Sequence, residues 1–147
     1  MKTCTFIGHN NTPKEIEPIL ESTLIDLILN KNVGKFYVGT HGGFDFLVQK
    51  VLKILKDKYD WIEYCIVLAY MPETKEEKKD YSNTIYPEGL EKVPQKYAII
   101  ERNKWMIKKC DYLVCHIEHT FSNAYQFKEF AEKKGKKIVN LFDSLIK

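Results

Sequence analysis

The segment FYVGTHGGFDFLVQKVL, residues 36–52, places a glycine-rich turn between a strand-like apolar run and a helix-like apolar run. Gly39, Gly42 and Gly43 fall within five positions, and Asp45 follows closely. Glycine lets backbone N–H groups approach an anion, and a helix N-terminus adds partial positive charge. The turn is therefore a candidate phosphate site. Close packing of a helix on a sheet is the alternative, because the spacing matches neither GxGxxG nor a Walker A loop.

The only arginine of the chain is Arg102, and the other 22 of the 23 basic residues are lysines. A helix over YAIIERNKWMI would carry Ile99, Arg102, Asn103 and Met106 on one face. The apolar members predict that this face points into the protein, and a buried guanidinium needs a partner. That partner is either an internal carboxylate, with Asp45 as the candidate, or an anionic ligand.

Histidines and cysteines supply the other reactive side chains. His9 and His41 follow predicted strands, where a neutral imidazole can hydrogen-bond a base or a ribose, or can be an ordinary loop residue. Cys115 and His116 are adjacent on a predicted strand and point to opposite faces. Together with Cys110 and His119 they match no standard zinc spacing, so we predict core cysteines and no metal site. No catalytic residue can be assigned.

The elements that must position these residues alternate between strand and helix. Strands are predicted at residues 3–8, 35–39, 61–70, 111–118 and 136–141. Helices are predicted from Pro13, with Thr12 as its cap, and over 43–56, 94–109 and 122–134. This alternation predicts an α/β fold with about five mainly parallel strands.

Residues 72–93 are the least regular segment, and we interpret them as a flap that contains Tyr81, Tyr86 and Pro87. No internal repeat or second domain is visible, so residues 1–147 are predicted to form a single domain.

Ligands of open parallel sheets bind beyond the carboxyl ends of the strands. Three polar or glycine-rich loops leave predicted strand ends here, at residues 8–11, 39–43 and 118–123. The sequence therefore predicts one site at that edge.

Composition narrows the class of partner. The 147 residues carry a net charge of +3 with scattered lysines, which argues against nucleic acid as a partner. No apolar run is long enough to cross a membrane, and no signal peptide is apparent. The cysteines mostly lie within apolar runs, as expected in a reducing compartment. We therefore expect a cytoplasmic protein without a membrane partner.

Four segments carry a resemblance to the SLOG superfamily, particularly its YpsA-like branch: TCTFIGH, GTHGGFD, IIERNKWMIKKCDYLV and SNAYQFKEFAEKKGKKI. That superfamily shares a Rossmann-like core with the LOG phosphoribohydrolases and the DprA/Smf proteins. The resemblance covers nearly the whole chain. It implies a Rossmann-like three-layer α/β/α sandwich with strand order 3-2-1-4-5, and it makes a homodimer plausible.

The resemblance also implies a nucleotide-type ligand, with its phosphates near the glycine turn and the start of the last long helix. The chain departs from the family where Ser122-Asn123-Ala124 replaces a G-G-T type turn, although serine and asparagine can still cap a helix. Gln126 and Phe127 stand where the LOG hydrolases place a glutamate. The candidate ligand-binding residues are Gly8, His9, Gly39, Thr40, His41, Gly42, Gly43, Asp45, Arg102, Asn103, Ser122 and Asn123.

These observations favour a binding or sensor module for a small nucleotide-like molecule, such as an NAD-derived or cyclic signal. No further cofactor is expected. The alternative is an N-glycosidic enzyme, a nucleoside monophosphate phosphoribohydrolase or a deoxyribosyltransferase relative, which the missing glutamate disfavours. A third interpretation is a protein whose glycine turn only packs helix on sheet and binds nothing.

Overall fold

The computed structural model of the chain describes residues 1–71, 83–118 and 122–145. Within them, six strands form one sheet in the order β4-β3-β2-β1-β5-β6, and every pair is parallel. The strands are β1 (Lys2–Gly8), β2 (Val33–Val38), β3 (Glu63–Val67), β4 (Thr84–Ile85), β5 (Tyr112–His116) and β6 (Lys137–Asn140).

Helices cover both faces of the sheet. They are α1 (Ile16–Asn30), α2 (Gly43–Lys58), α3 (Ala98–Lys109), α4 (Asn123–Lys133) and the short α5 (Phe142–Leu145). The larger apolar core joins α1 and α2 to one face, through residues such as Leu24, Leu52 and Phe36. A second core joins α3 and α4 to the other face around Cys115 and Phe127. The three-layer α/β/α arrangement predicted from the resemblance is confirmed.

The five predicted strands are all present, and their order agrees with the implied 3-2-1-4-5. The sequence analysis missed β4, which lies inside the segment predicted as a flap. Two residues are too few to show strand periodicity, and β4 is held by backbone bonds from Ile66 N–H to Asn83 O (3.0 Å) and from Leu68 N–H to Ile85 O (2.8 Å). Of the residues that the flap was predicted to contain, Tyr81 lies outside the described residues and Pro87 is buried.

Helix α1 begins three residues later than predicted. Residues 13–15 form a turn in which Ile16 N–H donates to Pro13 O at 3.1 Å. The Thr12 hydroxyl, predicted as the helix cap, lies 3.5 Å from the carbonyl oxygen of His9 and donates to it. The difference matters because this hydrogen bond joins two residues of the β1–α1 loop, whereas a helix cap would have joined the loop to α1.

The point where the strand order reverses lies at β1, between β2 and β5. The carboxyl ends of these three strands lie side by side there, so the crevice expected for an open parallel sheet lies beyond Gly8, Val38 and His116. In the described part of the chain, no helix is both long and apolar enough to cross a membrane.

Candidate functional site

A cavity of about 470 Å³ lies in this crevice. Its walls come from the end of β1, the β2–α2 turn, helix α3 and the start of α4. Eight of the twelve candidate residues line it: Gly8, His9, His41, Asp45, Arg102, Asn103, Ser122 and Asn123. Six further lining residues were not among the twelve candidates, although Asn10 lies in the predicted loop 8–11 and Ile99 on the predicted face of Arg102: Ile7, Asn10, Ile99, Ile100, Ala124 and Phe127.

Arg102 is the central polar residue of the cavity and is only 1% exposed, which confirms that the arginine points inward. Its Nε donates to Asn103 Oδ1 at 2.8 Å, and its Nη1 donates to Val67 O at 2.9 Å and Thr40 Oγ1 at 3.3 Å. Nη2 has no hydrogen-bond partner among the described residues. Among the described residues, the only side-chain nitrogens that are both fully buried and without a hydrogen bond are those of the His116 ring. Nη2 is therefore not fully buried, and because Arg102 lines the cavity, this nitrogen is open to it.

Asp45 approaches Arg102 without pairing directly with it. Its Oδ2 accepts a hydrogen bond from His41 N–H at 3.0 Å, and no ion pair or hydrogen bond joins the two charged residues in the described structure. Burial raises the pKa of Asp45 to about 6, although the His41 N–H and the Arg102 charge act in the opposite direction. The anchors that the sequence analysis sought for the guanidinium are therefore Thr40, Asn103 and a strand carbonyl.

Gly39 explains how two charged side chains reach the end of β2. A Cβ at this position would lie 2.7 Å from Asp45 Oδ2 and 2.9 Å from Arg102 Cζ. The carbonyl oxygen of Gly39 also accepts a hydrogen bond from Gln49 Nε2 at 2.9 Å. Glycine is required here by close approach, because any side chain would displace the guanidinium or the carboxylate.

The Gly42–Gly43 pair has a different role from the one that a phosphate site requires. Gly43 N–H donates to Asn10 O at 2.9 Å, and Phe44 N–H donates to His9 O at 3.4 Å. Gly42 has a φ of +92°, and a Cβ at Gly43 would lie 2.4 Å from Asn10 O. Neither glycine lines the 470 Å³ cavity. At this turn the structure has the close packing that the sequence left open as the alternative.

The start of α4 differs from the start of α2, because its first N–H groups face the cavity. Ser122 has extended backbone angles, and its Oγ accepts a hydrogen bond from Tyr125 N–H at 3.1 Å, so the predicted cap is confirmed. Asn123 and Ala124 occupy the first two helical positions, line the cavity and donate no backbone hydrogen bond to a described residue. This end of the helix presents N–H groups and the positive end of its dipole to the cavity.

An aromatic pair stands beside the cavity, and one member, His41, lines it. The rings of His41 and Tyr70 meet edge to face with centroids 5.7 Å apart, and both residues are exposed. Ile100, which lines the cavity, is also exposed. Although His41 is exposed, partial desolvation of its ring, followed by the nearby charge of Arg102, lowers its pKa, which favours its neutral form. No motif marks Tyr70 in the sequence, because its place depends on the end of β3 lying beside β2.

The two histidines near β1 and β5 are structural neighbours. His9 Nε2 accepts a hydrogen bond from Glu118 N–H at 3.1 Å, which fixes the ring at the cavity wall. His116 is fully buried, and neither of its ring nitrogens makes a hydrogen bond, although Nε2 lies 3.3 Å from Glu118 Oε1. Burial lowers the pKa of His116. Its neighbour Cys115 packs in the core on the opposite face of the sheet, as predicted.

The described residues contain no cluster of three or more side chains suited to a metal ion. Three of the four cysteines are buried, and all four are free thiols. Burial raises the pKa of Cys110 and of Cys115 to about 12, so neither is an activated nucleophile. His119 lies outside the described residues.

Comparison with known proteins identifies the fold. No family model and no curated protein match the sequence. The structure of DNA processing protein A (DprA) from Streptococcus pneumoniae matches with a TM-score of 0.67 and 16% identity, over 94% of this chain and 49% of that one. The structure of DprA from Helicobacter pylori matches with a TM-score of 0.63 and 14% identity, over 99% of this chain and 71% of that one. The chain has the Rossmann-like fold of these two structures.

At this identity the likeness describes the architecture alone, and the chain spans about half the length of the S. pneumoniae protein. It confirms the Rossmann-like core that the resemblance implied.

The comparison corrects the predicted partner. The H. pylori structure concerns single-stranded DNA binding by DprA. This finding overturns the predicted small nucleotide-like ligand, the N-glycosidic alternative and the argument against nucleic acid. The physical reason for the error is that a net charge of +3 averages over the whole surface. A site at the strand ends needs only a few well-placed donors, which whole-chain composition does not register.

Proposed function

We propose that this protein binds single-stranded DNA and that a backbone phosphate enters the 470 Å³ cavity at Arg102. One observation carries the proposal: Arg102 Nη2 and the N–H groups of Asn123 and Ala124 share one cavity, and none of them has a hydrogen-bond partner among the described residues. The likeness of the fold to a protein that binds single-stranded DNA supports the same class of partner.

The chemistry of the cavity fits a phosphodiester. Its two unbridged oxygens share one negative charge and can accept from Arg102 Nη2 and from Asn123 or Ala124 N–H at the same time. Hydrogen bonds that the guanidinium donates to Thr40, Asn103 and a strand carbonyl hold it in place before the phosphate arrives. Little side-chain order is then lost on binding.

The mouth of the cavity supports a single strand rather than a duplex. His41, Tyr70 and Ile100 offer exposed aromatic and apolar surface beside the phosphate position. Unpaired bases can stack on such side chains, whereas duplex DNA keeps its base faces inside the helix. The four free thiols fit a reducing compartment, so we also propose a cytosolic location.

The test is binding of a fluorescently labelled oligothymidylate of about 15 nucleotides, followed by anisotropy at low salt. We expect a dissociation constant of roughly micromolar order that rises with salt. Arg102→Lys should weaken binding by about 10-fold or more. The guanidinium is held through Nε and Nη1 while Nη2 reaches the phosphate, and a single ammonium group cannot do both. Thermal unfolding of the variant reports whether the fold is kept.

Lys108→Gln is the matched control, since it removes one positive charge from an exposed position of the same helix. It should change the affinity by less than about 2-fold. Unlabelled single strand should compete, and equal phosphate concentrations of duplex or of thymidine monophosphate should compete poorly. Undetectable binding by the unaltered protein, or equal binding by folded Arg102→Lys, would refute the proposal.

A further inference from the structure

A second cavity lies on the other side of the contact between the β1–α1 loop and the start of α2. It is an open groove of about 1020 Å³. Phe46 is its largest apolar residue and is 60% exposed, although the two residues before it in α2 are buried. Burial of a phenylalanine ring stabilises a folded protein, so an exposed ring in the first turn of a helix leaves that stabilisation unused.

The wall opposite the ring is polar. Asn10 and Asn11 are exposed residues that line the groove, and Thr12 lines it beside them. Amide groups can donate and accept at once, which is the capability needed to pair with the edge of a nucleobase. An aromatic ring facing amides is therefore suited to a flat, polar-edged group.

The charges of the groove disfavour a phosphate there. Lys50 pairs with Glu17 at 2.6 Å, and Glu118 adds a second carboxylate to the lining. Lys14 is the other cation of the rim. Two carboxylates beside two ammonium groups leave little net attraction for an anion, whereas a neutral base is tolerated.

The groove adjoins the cavity at Arg102 and is separated from it by the contact between the β1–α1 loop and the start of α2. Asn10 lines both, and the consecutive residues Asp45 and Phe46 line one each. A chain that places a phosphate at Arg102 and continues across Asn10 therefore reaches the exposed ring. Few ligands other than a polymer of nucleotides alternate an anion and a flat polar ring along one path.

We infer that the groove holds a nucleobase of the bound DNA strand, stacked on Phe46 and contacted at its edge by Asn10 and Asn11. This inference rests on the proposed function and extends it, because it assigns base recognition to a surface separate from the phosphate cavity. It also gives a direction to the strand path, from helix α3 over the β1–α1 loop to helix α2.

The test compares two probes of equal charge: an oligothymidylate of about 15 nucleotides and an abasic deoxyribose phosphate oligomer of the same length. The unaltered protein should bind the oligothymidylate more tightly. Phe46→Ala should weaken binding of the oligothymidylate by about 5- to 100-fold and leave the abasic probe unchanged, since stacking requires a base. Phe46→Trp should keep the preference for the probe with bases.

Ile54→Ala is the matched control, because Ile54 is 50% exposed on the same helix and does not line the groove. It should leave both affinities unchanged. Equal binding of oligothymidylate by Phe46→Ala and the unaltered protein overturns the inference, while a loss in Arg102→Lys in the same series keeps the proposed function. No binding of either probe by the unaltered protein removes both. A dimer in sedimentation that Phe46→Ala dissociates also overturns the inference, since the ring then contacts a second copy.

Discussion

Two helix N-termini meet at the carboxyl edge of the sheet, and they use their N–H groups in opposite ways. At α2, the N–H groups of Gly43 and Phe44 donate to carbonyl oxygens of the β1–α1 loop. At α4, Ser122 caps a later N–H group, and the first two positions of the helix face the cavity without a described partner. The glycine-rich turn is closed, and the serine-capped start is open.

The contrast shows what glycine content measures. A glycine pair permits close approach, but the approaching group can be the protein's own backbone as readily as a ligand. Buried N–H groups must be paired, so a neighbouring loop with free carbonyl oxygens fills the position first. The side chain of a cap satisfies one N–H group and leaves its neighbours available, which makes the plainer sequence the better anion site.

The largest effect should come from substitution in the closed turn. In Gly43→Ala, the new Cβ would lie 2.4 Å from the backbone oxygen of Asn10, so the loop or the helix must shift. We expect a loss of about 1 to 3 kcal/mol in the free energy of unfolding, measured by urea denaturation. Asn123→Ala at the open start should change it by less than about 0.5 kcal/mol. If the two variants are equally stable, the closed turn is not close-packed as described.

A smaller effect on stability but a clear one on binding is expected at the open start. Ser122→Asp keeps a side chain that caps well, so the melting temperature should hold or rise. The added carboxylate repels a phosphate at the same helix start, and binding of an oligothymidylate should weaken by about 10-fold. Ser22→Asp makes the same change at an exposed position within α1 and should leave binding unaltered. Normal affinity in Ser122→Asp would place the phosphate elsewhere.

The sequence predicted those features that depend on local pattern. Apolar runs located the five longer strands, and the spacing around Arg102 predicted its inward direction. Ser122 was recognisable as a cap because its hydroxyl acts only three residues along the chain. Each of these depends on neighbours within one or two helical turns or within one strand.

The features that it did not predict depend on distant partners. Whether Gly43 N–H faces a ligand or a carbonyl is decided by Asn10, which is adjacent only after β1 and β2 pair. Strand β4 has two residues and exists because the edge of β3 offers backbone groups. The prediction of the class of partner was wrong because the net charge of a chain does not show where a single arginine is placed.

The smallest expected effect concerns Asp45, which lies between the closed turn and the cavity. Its pKa in the folded protein is about 6, above the ordinary value of 3.8, so folding takes up a proton between these values. Stability attributable to this group is therefore greatest at low pH and falls as the pH rises through that window. At pH values above this window, the ionised carboxylate of Asp45 offsets part of the Arg102 charge and opposes an incoming phosphate.

We therefore expect the affinity for oligothymidylate to rise on the order of 5-fold between about pH 7.5 and about pH 5.5, which corresponds to roughly 1 kcal/mol of electrostatic interaction. Asp45→Asn keeps an oxygen for His41 N–H and should bind tightly at both pH values. His41 also titrates near the cavity, so the response that survives in Asp45→Asn measures the histidine contribution. A full pH response in this variant would show that Asp45 does not control the charge of the site, and that the closed turn affects the cavity by packing alone.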